Sequence, residues 1–186
     1  MKFTTKAIHN QDEALAAVAR LMRAGSEDPR VRATALKIVR ECEARDDECE
    51  LRAIYEAVKN GDPSVEALAQ GFPYRADPKT IDWFQGAARS LAMCEHGACG
   101  GDCDDHTILV GALAGSLGFT VGARAYAKTR SAPLSHVYAI AITPKRAGRP
   151  GLAGAKVIGM DTTVPSATLG WQPPPGRYRD ALANAF

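Results

Sequence analysis

The chain has 186 residues, enough for one domain with its own hydrophobic core. Its hydrophobic fraction of 46% and charged fraction of 24% match soluble globular proteins, and exclude disordered, collagen-like and disulfide-scaffold classes. A formal charge of +2, with no basic stripe interleaved with aromatics, excludes a nucleic-acid partner.

Met1 to Asn10 carries two lysines but no apolar segment behind them, so it is not a signal peptide, and cytoplasmic synthesis is expected. The first half reads as helical. Gln11 to Ala24 places Leu15, Val18, Leu21 and Met22 at helical spacing, with Gly25 as its stop. Asp28-Pro29 opens a second helix, a cap followed by a proline at the first turn, with Val31, Ala35, Ile38, Val39 and Cys42 on one stripe. A third helix, Asp47 to Asn60, carries Leu51, Ile54, Tyr55 and Val58 and ends at Asn60-Gly61. Gly61 to Lys79 reads as loop or short helical turns.

Beyond Gly101 the pattern changes. Asp102 to Leu117 predicts a helix with Gly118 at its C-terminal cap. Strands are predicted at Phe119 to Ala127, His136 to Thr143 and Lys156 to Met160, with a solvated basic connection from Pro144 to Ala155. The uncharged run Thr107 to Ala123 breaks at Gly118, so it reads as helix then strand and not as a membrane span. The proline-rich tail from Pro173 is expected to wrap the surface. Helices followed by an antiparallel sheet make an α+β fold.

Chemistry concentrates in Gly100-Gly101-Asp102-Cys103-Asp104-Asp105-His106. The two glycines permit a tight turn and close backbone approach. Asp102 is an N-cap that leaves Cys103 in the first helical turn, where free N–H groups and the helix dipole favour a thiolate. The site-adjacent carboxylates Asp104 and Asp105 push the thiol pKa the other way. A basic partner is therefore required, and His136, opening an apolar strand, supplies it as a thiolate–imidazolium pair. Asp161, at the end of the next strand, would fix the imidazole tautomer. Trp83 and Gln85 are candidate oxyanion donors beside the Cys103 N–H. His106, at i+3 from Cys103, faces the same side of the helix.

These motifs resemble the transglutaminase-like cysteine peptidase superfamily. The carriers are Gly101-Asp102-Cys103-Asp104-Asp105-His106 before an apolar helix, then Ser135-His136-Val137-Tyr138, then Met160-Asp161-Thr162-Thr163. Upstream, Leu51 to Val58 and Tyr74-Arg75-Ala76-Asp77-Pro78 are similar to the bacteriophage and prophage branch. The resemblance covers about residues 50–172 and implies a papain-like core, with Cys103, His136 and Asp161 as catalytic triad and no cofactor. It also implies an N-terminal helical extension over residues 1–50 packed on a catalytic domain of residues 51–186. Residues Asn60 to Gly71 look like an insertion, and Cys94, His96 and Cys99 lie outside the family pattern.

The function expected is thiol-dependent acyl transfer through an acyl-thioester: a peptidase or amidase acting on a protein or peptide, with phage virion or host proteins as substrates and virion association as a location. Alternatives are a glutamine-crosslinking transglutaminase and a non-catalytic virion or interaction module. A rival metal reading gathers Cys94, His96 and Cys99, with Cys103 and His106 nearby, around zinc. Cys94 and Cys99 could instead pair under oxidation, or line a loop. Cys42 and Cys49 read as ordinary helix residues, without a secretory context that favours disulfides; with five cysteines, at least one is free.

Overall fold

The computed structural model describes residues 10–78, 83–145 and 153–183. The reading of residues 1–9 and the middle of the Pro144 to Ala155 connection lie outside them. Among the described residues the fold is α+β, with five α-helices and one four-stranded antiparallel sheet. No helix among them is long and apolar enough to cross a membrane.

α1 (Gln11–Ser26) is capped by the Asn10 side chain, which accepts the Glu13 N–H at 2.9 Å. Gly25 does not stop this helix. It lies inside it, buried against the partner helix, where a Cβ would stand 2.7 Å from Ala112 Cβ. The missing side chain is a packing requirement, and it outweighs glycine's poor helix propensity. α2 (Pro29–Ile38) starts as expected, with the Asp28 carboxylate accepting from Arg30 and Val31. It ends at Ile38, so Val39 and Cys42 fall outside the helix. α3 (Asp47–Lys59) buries Leu51, Ile54, Tyr55 and Val58, as the spacing predicts. The following segment closes on itself through one short 3₁₀ turn, Glu66–Leu68.

Two elements were not predicted. α4 (Ala87–Glu95) has no side-chain cap, and β4 (Arg177–Leu182) lies in the tail expected only to wrap the surface. α5 (Cys103–Ser116) is the centre of the core: Ile108, Leu109, Val110 and Leu113 are all fully buried. A helix apolar on every face must be covered on every face. α1, α2, α3 and α4 cover one side and the sheet covers the other, in one continuous core. In such surroundings truncating a leucine to alanine costs about 2–5 kcal/mol.

The sheet runs β3 (Lys156–Met160), β2 (His136–Thr143), β1 (Thr120–Ala127), β4. Tyr126 pairs with His136 at one end of the central ladder, and Ala139 pairs with Met160 on the other side. Small residues Ala123, Ala125, Ala139 and Ala141 let α5 approach one face closely, while Tyr126, Tyr138 and Ile140 pack on the other. The register leaves His136 at the start of β2 and Asp161 just past the end of β3, at the same end of the sheet.

Of the two disulfides, Cys42–Cys49 differs from the sequence expectation and Cys94–Cys99 is the pairing it left open. Cys42 is bonded to Cys49 and Cys94 to Cys99, leaving Cys103 as the free cysteine. The stop of α2 at Ile38 returns the chain so that Cys42 meets the first turn of α3. The zinc reading is corrected by the second bond: its two sulfurs bind each other, and His96 is an exposed residue at the end of α4.

Candidate functional site

The segment before Cys103 is fixed by its glycines and by the Pro73 to Arg75 strip. Arg75 N–H donates to Gly101 O at 2.8 Å, and Gly101 N–H donates to Pro73 O at 3.2 Å. Gly100 has φ of 125°, and a Cβ there would meet Pro73 O at 2.7 Å. At Gly101 a Cβ would collide with Asp105 Cβ at 2.5 Å. The two glycines therefore seat the turn against both its neighbours.

Asp102 caps α5, its carboxylate accepting the Asp104 N–H at 3.1 Å, and Cys103 begins the helix. The main-chain N–H groups of Val137, the residue after His136, and of Cys103 itself lie near enough to the sulfur to favour its thiolate. The start of α5 thus lies beside the opening of β2, the strand it packs against. Burial nevertheless pushes the thiol up to about 12, with Asp102 and Asp104 adding to it and the two N–H groups only partly offsetting them. The expected resting thiolate gives way to a resting thiol, because desolvation exceeds what the helix terminus supplies.

His136 Nε2 stands 2.6 Å from Asp161 Oδ2. Asp161 is 1% exposed, and its other oxygen accepts from Thr163 N–H at 3.0 Å, Thr163 Oγ1 at 2.8 Å and Val164 N–H at 3.2 Å. One carboxylate oxygen builds the turn and the other orients the imidazole. Burial pushes the Asp161 carboxyl up, but the His136 hydrogen bond and charge, together with Thr163, bring it below the usual range.

Tyr55, read from sequence only as an apolar stripe residue, anchors this turn. Its hydroxyl donates to Asp161 O at 3.1 Å and Ala167 O at 2.7 Å, and Lys59 Nζ donates to Tyr55 Oη and Val164 O, both at 3.0 Å. Phenols and ammonium groups at helical spacing carry no sign of such a long-range role.

The remaining candidates have other partners. Gln85 gives its backbone N–H to Asp105 Oδ1 at 2.7 Å and its side-chain amide to Asp105 Oδ2 at 2.9 Å. Trp83 is 57% exposed, and its main-chain N–H donates to the Asp77 carboxylate. His106 is buried between Thr162, 2.8 Å from its Nδ1, and the Phe72 ring, and burial lowers it to about 4. It serves as a neutral structural residue. Tyr74, given no role from sequence, is 57% exposed, and both burial and the neighbouring Cys103 raise its phenol.

Asp102, Asp104 and Asp105 form a cluster whose oxygens lie within 4.8 Å of one another. Burial pushes Asp104 up to about 10, helped by its hydrogen bond to Asp102, and pushes Asp105 up to about 6. Near neutral pH, Asp104 therefore holds its proton, and its charge opposes the Cys103 thiolate only at higher pH.

No family model matches the chain, and neither a curated protein nor a solved structure matches it.

Proposed function

We propose that the chain is a thiol-dependent acyl-transfer enzyme, a peptidase or amidase of the transglutaminase-like kind its motifs resemble. The observation carrying this reading is one juxtaposition. The His136–Asp161 pair is closed at 2.6 Å, and the free Cys103 begins α5 within electrostatic reach of the main-chain N–H of the residue next to His136. A scaffold needs none of these three groups in that relation.

Because Asp161 occupies Nε2, Nδ1 is the ring nitrogen that takes the thiol proton as sulfur attacks a carboxamide carbon. Asp161 stabilises the imidazolium so formed. The oxyanion develops beside the Cys103 N–H in the first turn of α5. Collapse breaks the C–N bond, His136 returns the proton to the leaving nitrogen, and an acyl-thioester remains. Water deprotonated by His136 then attacks the thioester, releasing a carboxylic acid and restoring the thiol. A primary amine in place of water would give crosslinking. The phage-type resemblance directs the substrate search to virion and host proteins.

The test is iodoacetamide labelling near neutral pH, read by peptide mass spectrometry, together with turnover of a peptide-amide library. His136→Ala should slow labelling of Cys103 roughly tenfold or more, and Cys103→Ala should abolish turnover. Equal labelling of native wild type and His136→Ala, with turnover surviving Cys103→Ala, would overturn the reading. Added amine appearing in the product would assign the transferase branch.

A further inference from the structure

A cleft of about 560 Å³ begins at His136 and continues along the segment that follows Asp161. Val164, Trp171, Tyr126 and the three prolines Pro173 to Pro175 form its apolar wall. We infer that this cleft is the subsite for the leaving-group half of the substrate, and that it takes a bulky apolar side chain with a carboxylate beyond it. The inference rests on the acyl-transfer reading and adds the substrate class.

Three features carry it. The first is position. His136 lies in the wall and Cys103 does not, so the cleft is on the side of the proton donor to the leaving nitrogen. A group bonded to that nitrogen would find this cleft beside His136. The volume suits one or two side chains.

The second is the chemistry of the wall. Three consecutive prolines present no main-chain N–H, so this side cannot donate to a peptide backbone and offers only apolar contact. Trp171 and Val164 extend the same surface. Lys128 brings an ammonium group to the wall. A carboxylate beyond the apolar side chain, whether an acidic side chain or a chain terminus, meets it.

The third is rigidity. Tyr178 donates its hydroxyl to Pro173 O at 2.8 Å and reaches Pro174 O at 3.2 Å. Its ring packs on Tyr126 at 5.5 Å, and the Arg124 guanidinium lies over it at 5.4 Å. Arg124 is itself held by Asp180 through two bonds of 2.7 Å and by Gln172 Oε1 at 3.0 Å. The wall is built before a ligand arrives, so little ordering cost falls on binding. The unpredicted strand β4 is what makes this possible, because it delivers Tyr178 and Asp180.

The experiment uses the full chain carrying Cys103→Ala, so that binding is read without turnover. Calorimetry would compare Leu-Asp-amide with Gly-Asp-amide and Leu-Asn-amide, dipeptides representing the released half, and Leu-Gly with a free carboxylate against its amide. Leucine should bind roughly ten- to hundredfold tighter than glycine, and Trp171→Ala should remove that difference while leaving the melting temperature close to the parent's. Lys128→Ala should erase the preference for the carboxylate, and the last pair decides whether it is a side chain or a terminus. Equal binding of leucine and glycine peptides, or a preference unaffected by both substitutions, would overturn the inference. Selective binding without turnover by the wild type would leave the subsite standing and sink the enzymatic reading. Turnover with no preference for apolar residues after the scissile bond would do the reverse.

Discussion

Two carboxylates of the candidate site, on opposite elements and with nearly equal burial, behave oppositely. Asp161 on the sheet side is 1% exposed, and Asp104 on the helix side is 8% exposed. The first is held below the ordinary range by the His136 hydrogen bond and by Thr163, despite its burial. The second has only Asp102 and other acids around it, and burial drives it up to about 10. Desolvation acts on both, and the partner decides which protonation state survives. In the proposed reading, Cys103 would meet a charged acid through the His136 imidazole on one side and a neutral acid on the other. The opposition of Asp104 that the sequence suggests is therefore largely absent near neutral pH.

The largest expected effect comes from breaking the charged side. Asp161→Asn keeps an acceptor for the Thr163 turn but removes the charge on His136. Turnover should fall about 10²- to 10⁴-fold with the fold retained, as seen by circular dichroism. Unchanged turnover would remove Asp161 from the site.

The neutral side is tested by stability. A carboxyl raised to about 10 in the folded chain keeps a proton that the unfolded chain loses near its ordinary value of 3.8. Its contribution is therefore complete below that ordinary value and is lost progressively as pH rises toward about 10. Asp104→Asn should flatten this slope. Thermal unfolding at about pH 5 and about pH 9 should show wild type losing more stability than the variant, by on the order of 1 kcal/mol or more. Parallel curves would mean that Asp104 titrates normally.

A smaller effect of the opposite sign belongs to His106. It is held at about 4 in the fold against an ordinary 6.5, so the unfolded chain takes up a proton first. Stability is lost as pH falls through that window, and His106→Gln should be flatter between them by about 1 kcal/mol. Acid titration of the unfolding midpoint checks it.

The predicted helices α1, α2, α3 and α5 and the first three strands were legible because each carries its own periodicity. α4 was not, because nine residues with no side-chain cap give too short a pattern. β4 was hidden because Arg177, Arg179 and Asp180 make it read as a polar tail; its strand character comes from pairing with β1. At the candidate site the His136–Asp161 contact, the place of Cys103 at the start of α5 and the glycines between Cys99 and Asp102 were legible, since each sits at the end of a recognisable element. Gln85 turning to Asp105 and Tyr55 holding the Asp161 turn are contacts between residues 20 and 106 positions apart. No local pattern encodes either. The cysteine pairs depend in the same way on where the helices stop.

The pairing of the other four cysteines has a consequence for how the fifth ages. With both disulfides closed, Cys103 has no free internal thiol with which to be consumed, and as a half-buried, protonated sulfur it reacts slowly with oxidants. Idle protein would thus keep its one reducing equivalent through long exposure to air, and spend it only when something takes the proton away.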